Sequence, residues 1–284
     1  MFKVENNEQC IGNAPLVNGS ERLVVILHGY SGSQNSNEMV VLRDEYLKGP
    51  ADRNVITVDY SKIVSSGNGF VRSIYILPSL SEHIAKLLIS LMEIRKEITY
   101  CHVVGFSIGA HIAGLVGNIF TQKGLMLNRI TALDPLKLLL SNVNVEISPS
   151  SAKFVDVIHS NDVIGISKPI GTVDVYVNDG KNQPGCDTDW CSHMVSVYLF
   201  AASINSDIYK AAFCLDFKKE DISNKDCQTR QQLYNELARD NFKALLVLCG
   251  ARDEFYNRSV IVGEHMPLSS RGVHHFLLKK EITV

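Results

Sequence analysis

Tyr100-Cys-His-Val-Val-Gly-Phe-Ser-Ile-Gly-Ala-His-Ile-Ala-Gly114 sets one serine between a β-branched strand and a helix start made of small residues. In Gly105-Phe106-Ser107-Ile108-Gly109 the two glycines leave room for a sharp, strained turn. Such a turn lifts the serine hydroxyl off the sheet edge and onto a helix N-terminus, the place of an acyl-transfer nucleophile. Ser107 suits that role only if an apolar strand precedes it, a helix follows it, and an acid and then a histidine come later in the chain.

Outward from the turn, strand and helix signals alternate. Leu23-Val-Val-Ile-Leu27 reads as a buried strand that breaks into His28-Gly29-Tyr30-Ser31-Gly32, and Asn54-Val-Ile-Thr-Val-Asp59 has the same character. Helical spacing covers Ser36 to Lys48 and, after Pro78-Ser79, Leu80 to Ile94. Behind the elbow strand comes a helix to about Phe120. Strands follow at Arg129-Ile-Thr-Ala-Leu-Asp134, Phe154-Val-Asp-Val-Ile-His159 and Thr172-Val-Asp-Val-Tyr-Val177. A helix from His193 to Ile204 precedes an irregular region, with late strands at Lys243–Cys249 and Val273–Leu278. This rhythm predicts an α/β chain, a mostly parallel central sheet with helices on both faces, in one domain over residues 1–284. His28, Ser107 and Asp134 each fall just past a strand, at the carboxyl ends where open α/β sheets handle ligands.

A serine hydroxyl is a weak nucleophile near neutral pH. It needs a histidine to take its proton and a carboxylate to hold that histidine in the right tautomer. Of nine histidines, His193 is the first candidate, because the short loop flanked by Cys186 and Cys191 leads into a helix there, a rigid place to present an imidazole. His159, at a strand end after Asp134, is its chief rival, with a hydrogen bond to backbone as its alternative role. His274 and His275 come late enough but lie in a run that reads as an edge strand. His28, His102 and His111 precede or flank the elbow, where packing or support of the site suits them better. Asp134, locked by Pro135, is the candidate acid; Asp156 falls mid-strand, Asp162 in a loop, and a plain turn carboxylate is the alternative for Asp134. Backbone N–H groups aimed at the developing charge complete such a site. Ile108, next to the serine, supplies one, and Tyr30, in the loop after the first strand, the second.

Composition excludes other classes. A net charge of −2 without a long basic run leaves nucleic acid no footprint. No apolar run reaches the roughly 18 residues that span a bilayer. The start Met-Phe-Lys-Val-Glu-Asn-Asn-Glu is too polar for a secretory signal, so it reads as a natural start. Cys10, Cys101, Cys186, Cys191, Cys214, Cys227 and Cys249 include no Cys-x-x-Cys spacing, so no zinc ribbon is expected. Cys186 with Cys191, and Cys214 with Cys227, either close as local disulfides, pointing to an oxidising compartment, or stay as buried thiols.

Seven ordered stretches carry a family resemblance: Leu27-His28-Gly29-Tyr30, Val58-Asp59-Tyr60, Gly105 to Gly114, Leu133-Asp134-Pro135, Phe154 to Ser160, Gln183-Pro-Gly-Cys186 and Cys191-Ser-His193. In that order they resemble the motifs of the pancreatic-type lipase family, phospholipases A1 included, over nearly the whole chain. The resemblance implies an α/β-hydrolase fold, Ser107, Asp134 and His193 as a catalytic triad, no cofactor, secretion, and hydrolysis of lipid esters at a membrane or micelle interface. Phe106 departs from the family, which usually has histidine there. Val145-Glu-Ile-Ser-Pro-Ser-Ser-Ala152 lacks the arginine and aspartates of the family's calcium loop, so no metal is expected. The family's carboxyl-terminal lipid-binding sandwich is not expected either.

Lid length is the departure with most consequence. Triacylglycerol lipases of the family carry a long amphipathic lid between the cysteines matching Cys186 and Cys191, and here only Asp187-Thr-Asp-Trp190 stands between them. That brevity resembles the phospholipase A1 members and implies phospholipid or small esters ahead of triglyceride, with phospholipid the first reading and a triacylglycerol lipase or carboxylesterase the alternatives. Trp190 either dips into a lipid interface or packs. The competing reading is a non-catalytic lipid binder, like the yolk proteins of this fold, which have lost the nucleophile that this chain keeps.

Overall fold

Continuous apolar runs build the sheet, because a strand covered on both faces exposes neither. In β1 (Arg22–Leu27) every residue after Arg22 is buried, and β3 (Tyr100–Phe106), β4 (Arg129–Leu133), β5 (Val155–His159) and β6 (Val173–Val177) are nearly as dry. β2 (Arg53–Val58) is half-buried at the edge. With β10 (Gly272–Leu277) they form seven parallel strands in the order β2-β1-β3-β4-β5-β6-β10. β7 (Lys210–Cys214) and β8 (Leu245–Leu246) run antiparallel to β10, and β9 (Ser259–Ile261) runs antiparallel to β7. This computed structural model describes residues 14–49, 52–65, 69–138, 145, 147–206, 261–274 and 276, and the backbone alone of 210–214, 245–246, 259–260, 275 and 277.

Helices cover both faces, as the α/β pattern predicts. α1 (Asn37–Lys48) and α4 (Asp189–Ile204) press Met39, Leu42, Tyr46, Val197 and Phe200 onto one side. α2 (Phe70–Ile94) and α3 (Ile108–Gln122) press Ile74, Leu77, Leu88, Ile112 and Val116 onto the other. α2 is long and apolar enough to cross a membrane by length and composition alone, yet its apolar face lies in this core.

Four expectations are corrected. α2 begins at Phe70 and carries Pro78 inside it, where the sequence suggested a start after Pro78-Ser79. Ile74 and Leu77 are fully buried, and at about 1.5–3 kcal/mol each their burial offsets the roughly 3 kcal/mol of an internal proline. α4 begins at Asp189 and not at His193, because the Thr188 hydroxyl caps it by accepting the Cys191 N–H at 3.1 Å. β10 is an inner strand between β6 and β7, not an edge, so His274 is buried. The late region also holds β7 and β9, and of Lys243–Cys249 only Leu245–Leu246 is described as strand.

At the amino ends of the strands lies a buried ionic cluster. The Arg129 guanidinium donates to both carboxylate oxygens of Asp156 at 2.7 and 2.8 Å and to the carbonyls of Gly263 and Glu264 at 2.8 and 2.7 Å. The Glu264 carboxylate accepts from the Tyr46 hydroxyl at 2.7 Å and from Arg53 at 3.4 Å. The cluster fastens the segment before β10 beneath β1, β2 and β4.

Candidate active site

Register brings the site together. β1, β3, β4 and β5 lie side by side, with Leu27 opposite Gly105, Phe106 opposite Leu133 and Leu133 opposite Ile158. Ser107 and Asp134 therefore leave the sheet side by side at its carboxyl edge, with His28 and Ser160 at the ends of the flanking strands. Between β1 and β3 the chain direction switches, since β1 leads outward to β2 and β3 returns on its other side. Ligands of open α/β sheets bind at such a switch.

At the elbow Ser107 has φ 57° and ψ −118°, a strained conformation for a residue with a side chain. Its N–H is held by the Leu133 carbonyl at 2.9 Å, and its own carbonyl accepts from Ala110 at 3.2 Å. Two close approaches explain the flanking glycines. A Cβ on Gly105 would lie 2.3 Å from the Gly109 carbonyl oxygen, and one on Gly109 would lie 2.6 Å from the carbonyl oxygens of Leu27 and His28. Neither obstacle is a side chain that could turn aside. Gly105→Ala should therefore cost about 3 kcal/mol, the upper part of the overpacking range, read as a lower urea midpoint; an unchanged midpoint would show that the turn yields.

Asp134 and His193 are hydrogen-bonded, Oδ2 to Nδ1 at 2.6 Å, and both are fully buried. The other carboxylate oxygen of Asp134 accepts the N–H of Ser160 at 2.8 Å and of Asn161 at 3.3 Å. His193 sits in α4, whose first turn is clamped by the disulfide Cys186–Cys191, Cα–Cα 5.4 Å. The second pairing considered, Cys214 with Cys227, lies outside the described residues. The His193 Nε2 atom is buried with no hydrogen-bond partner. Ser107 is 3% exposed, and no hydrogen bond joins its hydroxyl to that nitrogen in this structure. The neighbouring Phe106 ring packs on the imidazole with centroids 4.5 Å apart. Trp190, 52% exposed, stands edge-on to Phe106 at 6.0 Å and lies 5.6 Å from the His193 ring. It packs and faces solvent at once.

The loop after β1 is held from below. His28 donates from Nδ1 to the Gly29 carbonyl at 2.8 Å and accepts the Tyr60 N–H on Nε2 at 3.1 Å, a neutral tautomer, and burial lowers its pKa in keeping. The Tyr60 hydroxyl donates to the His28 carbonyl, and the two rings stack at 3.7 Å. Gly29 also accepts from the Gly32 N–H at 3.1 Å. Because a trans peptide sets C=O and N–H on opposite sides, the Tyr30 N–H points away from those contacts. A Cβ on Gly29 would lie 3.5 Å from the Ser107 Cβ, so loop and serine are in contact. Ile108 opens α3, and the first N–H groups of a helix have no partner within it.

The other histidines are occupied elsewhere. His159 donates to the Ile166 carbonyl and to the Asp174 carboxylate, both at 2.8 Å, which leaves its ring no nitrogen to receive a serine proton. His102 bonds Thr131 at 2.8 Å, His111 the Leu136 carbonyl at 2.7 Å, and His274 the Arg271 carbonyl at 3.1 Å. The side chain of His275 lies outside the described residues. Asp156, the other acid considered, binds Arg129. Sequence reading missed Gln183, which donates to the carbonyls of Ser160 and Val177 at 2.8 Å and so ties the Asp134 loop to the segment leading to His193. It also missed Glu38, buried in the first turn of α1 beside the loop after β1. The Gln183-Pro-Gly-Cys186 motif was the one available signal for the former; a glutamate in an ordinary helix start offered none for the latter.

A model of the lipase family matches residues 3–233. Phospholipase A1 member A of Rattus norvegicus is 32% identical over 213 residues, 71% of this chain and 46% of that protein. Lipase member H of Oryctolagus cuniculus is 31% identical over 240 residues, 78% of this chain and 50% of that protein. The chain thus spans about half the length of the curated relatives it matches. Among solved structures, an arylesterase aligns with 65% of this chain and 76% of its own at 14% identity, with a TM-score of 0.36. With a family model matched over most of its length and relatives above 30% identity over more than two thirds of it, the chain belongs to the lipase family.

Proposed function

We propose that this chain is a serine hydrolase of lipid carboxylic esters, phospholipid before triglyceride, with Ser107 as nucleophile, His193 as general base and Asp134 as the acid that orients it. The observation that carries this reading is the His193 ring: Nδ1 is pinned by a buried carboxylate at 2.6 Å while the buried Nε2 has no partner. A buried polar atom left unpaired costs about 1–3 kcal/mol, and a reacting group is the kind of use that retains it. Catalytic hydrogen bonds are often open without substrate, so an unmade bond from the Ser107 hydroxyl to Nε2 is compatible with this role.

Ser107 attacks the ester carbonyl as Nε2 takes its proton, and Asp134 stabilises the imidazolium. The N–H groups of Ile108 and Tyr30 receive the oxyanion. Nε2 then protonates the departing alcohol, and water, activated by the same nitrogen, releases the fatty acid from the acyl-enzyme. The disulfide Cys186–Cys191 fits an oxidising compartment, and so supports an extracellular site of action.

Phospholipid is favoured by the short segment between those cysteines, half of which, Asp189 and Trp190, belongs to α4 and so is not free to cover the site. Relatives named phospholipase A1 member A support the same choice. Fatty-acid release from phosphatidylcholine mixed micelles and from emulsified triglyceride, each against Ser107→Ala, tests it. Serine-dependent release at least about tenfold faster from phospholipid is expected, a margin of roughly 1.4 kcal/mol in the barrier. Release from triglyceride alone would overturn the substrate choice, and serine-independent or absent release from both would overturn the hydrolase reading.

A further inference from the structure

Just before β1 the chain carries a triplet that ester chemistry does not use. Asn18-Gly19-Ser20 has the form Asn-x-Ser with x not proline, the acceptor of N-linked oligosaccharide. Such a short triplet often arises by chance, so the fold around it has to decide. In a second match, Asn257-Arg258-Ser259, the asparagine lies outside the described residues.

Residues 17 to 20 form a turn: the Ser20 N–H donates to the Val17 carbonyl at 3.2 Å, and Gly19 takes a positive φ of 74°, which glycine adopts freely. Both ends of the turn are fastened to the chain around β2. The Val17 N–H donates to the Asn54 side-chain oxygen at 2.7 Å, and the Ser20 hydroxyl to the Asp52 carbonyl, also at 2.7 Å. Asn18 takes no part in that fastening. It is exposed, its side chain makes no hydrogen bond among the described residues, and a Cβ on the adjacent Gly19 would meet nothing within 4 Å. β1 and β3 run parallel, with Arg22 opposite Tyr100 and Leu27 opposite Gly105. Asn18 therefore precedes the amino end of β1 while Ser107 follows the carboxyl end of its neighbour, with about 20 Å of strand between the two ends.

We propose that Asn18 is an N-glycosylation site, modified before β1 pairs with β2, whose oligosaccharide stands at the end of the sheet opposite Ser107. This rests on the extracellular reading, which the disulfide Cys186–Cys191 supports. The Asn18 amide nitrogen attacks the anomeric carbon of a lipid-linked oligosaccharide diphosphate. A C–N bond replaces the C–O bond to phosphate, the diphosphate leaves with that electron pair, and a base of the transferase takes one amide proton. The order of events follows from Ser20, whose hydroxyl completes the acceptor. In the folded chain Ser20 is 7% exposed and that hydroxyl is bound to Asp52, so transfer belongs to the unfolded chain.

The full chain, secreted from animal cells behind a cleavable leader, is treated with peptide N-glycosidase in heavy-oxygen water and mapped by mass spectrometry, beside Asn18→Gln. Residue 18 is expected as heavy aspartate, with a gel shift on treatment that is smaller or absent in Asn18→Gln. Asn18 has no positive φ, so glutamine fits its backbone. Occupancy is read without any hydrolysis. A bare Asn18 in secreted protein with Cys186–Cys191 closed overturns the proposal alone; a bare Asn18 with both thiols free overturns the compartment reading as well. Enzymatic removal of the sugar should leave kcat unchanged, and a changed kcat would overturn its placement away from the site. Protein folded in bacteria should gain nothing from microsomal transferase and lipid-linked oligosaccharide, whereas a peptide of residues 14–22 should accept it. Acceptance by the folded protein overturns the order of events, and refusal by the peptide overturns the acceptor.

Discussion

Replacing His193 by alanine is expected to lower kcat for lipid-ester hydrolysis about 10⁶-fold, and adding Ser107→Ala to it should cost nothing further. The argument is one of a single working unit. Without the imidazole the Ser107 hydroxyl has no base, since His159 offers acceptors to neither side and His28 and His111 are bonded to the loops they hold. Without the serine the imidazole has nothing to deprotonate but water. Asp134→Asn should cost less, about 10⁴-fold, because the ring stays in place but its Nδ1 no longer faces a carboxylate. KM should change little in all three, the loss lying in the transition state. Single-turnover fatty-acid release measures the set. A double variant more than about tenfold slower than His193→Ala would show that the two residues do not act together.

Arg129→Met should destabilise the fold by about 3–5 kcal/mol while leaving the kcat of the folded fraction unchanged. Arg129 is 2% exposed and Asp156 is fully buried. Burial alone would disfavour the guanidinium's charge, but Asp156 and then Glu264 outweigh it and raise its pKa. Removing the arginine strands the Asp156 carboxylate with Thr131 as its remaining described donor, at 3.0 Å, and frees the carbonyls of Gly263 and Glu264. The cost is therefore that of uncompensated charge, not of a lost attraction. Replacing both partners, Arg129→Met with Asp156→Leu, should recover much of it, because a buried pair exchanged for apolar side chains is often neutral. Urea unfolding of the three proteins measures this. If the double variant is no more stable than the single one, the penalty arises from packing. Activity is spared because the cluster lies at the amino ends of the strands, the far end of the sheet from Ser107.

Much of the sheet was legible because its information is local. Six apolar runs, from Leu23–Leu27 to Thr172–Val177, became β1 to β6 within a residue or two, since a strand buried on both faces must be apolar throughout. The failures share a cause: a local signal outweighed by distant contacts. Pro78 reads as a helix boundary, yet Ile74 and Leu77 before it gain a core to bury in. Val273–Leu278 reads as an edge, yet β7 pairs along it from an irregular-looking region.

The site divides the same way. Ser107, with its glycines, was decided by the sequence alone, because the elbow is five residues of backbone geometry and the carbonyls that exclude a Cβ from Gly105 lie within the same turn. Asp134 was favoured by its place after a strand. Its pairing with His193, 59 residues away, and the exclusion of His159 required the fold, since hydrogen bonds to both nitrogens of one ring and to one nitrogen of the other are facts of position. The Arg129 cluster left no trace in the sequence. An arginine opening a strand is ordinary there, and only partners such as Glu264, 135 residues from Arg129, make it buried and consequential. Short-range sterics wrote the strained turn at Ser107 into the chain; the Asp134–His193 pair and the hold on the loop after β1 came from packing, because charge and hydrogen bonding act over a few ångströms of space whatever the separation along the chain.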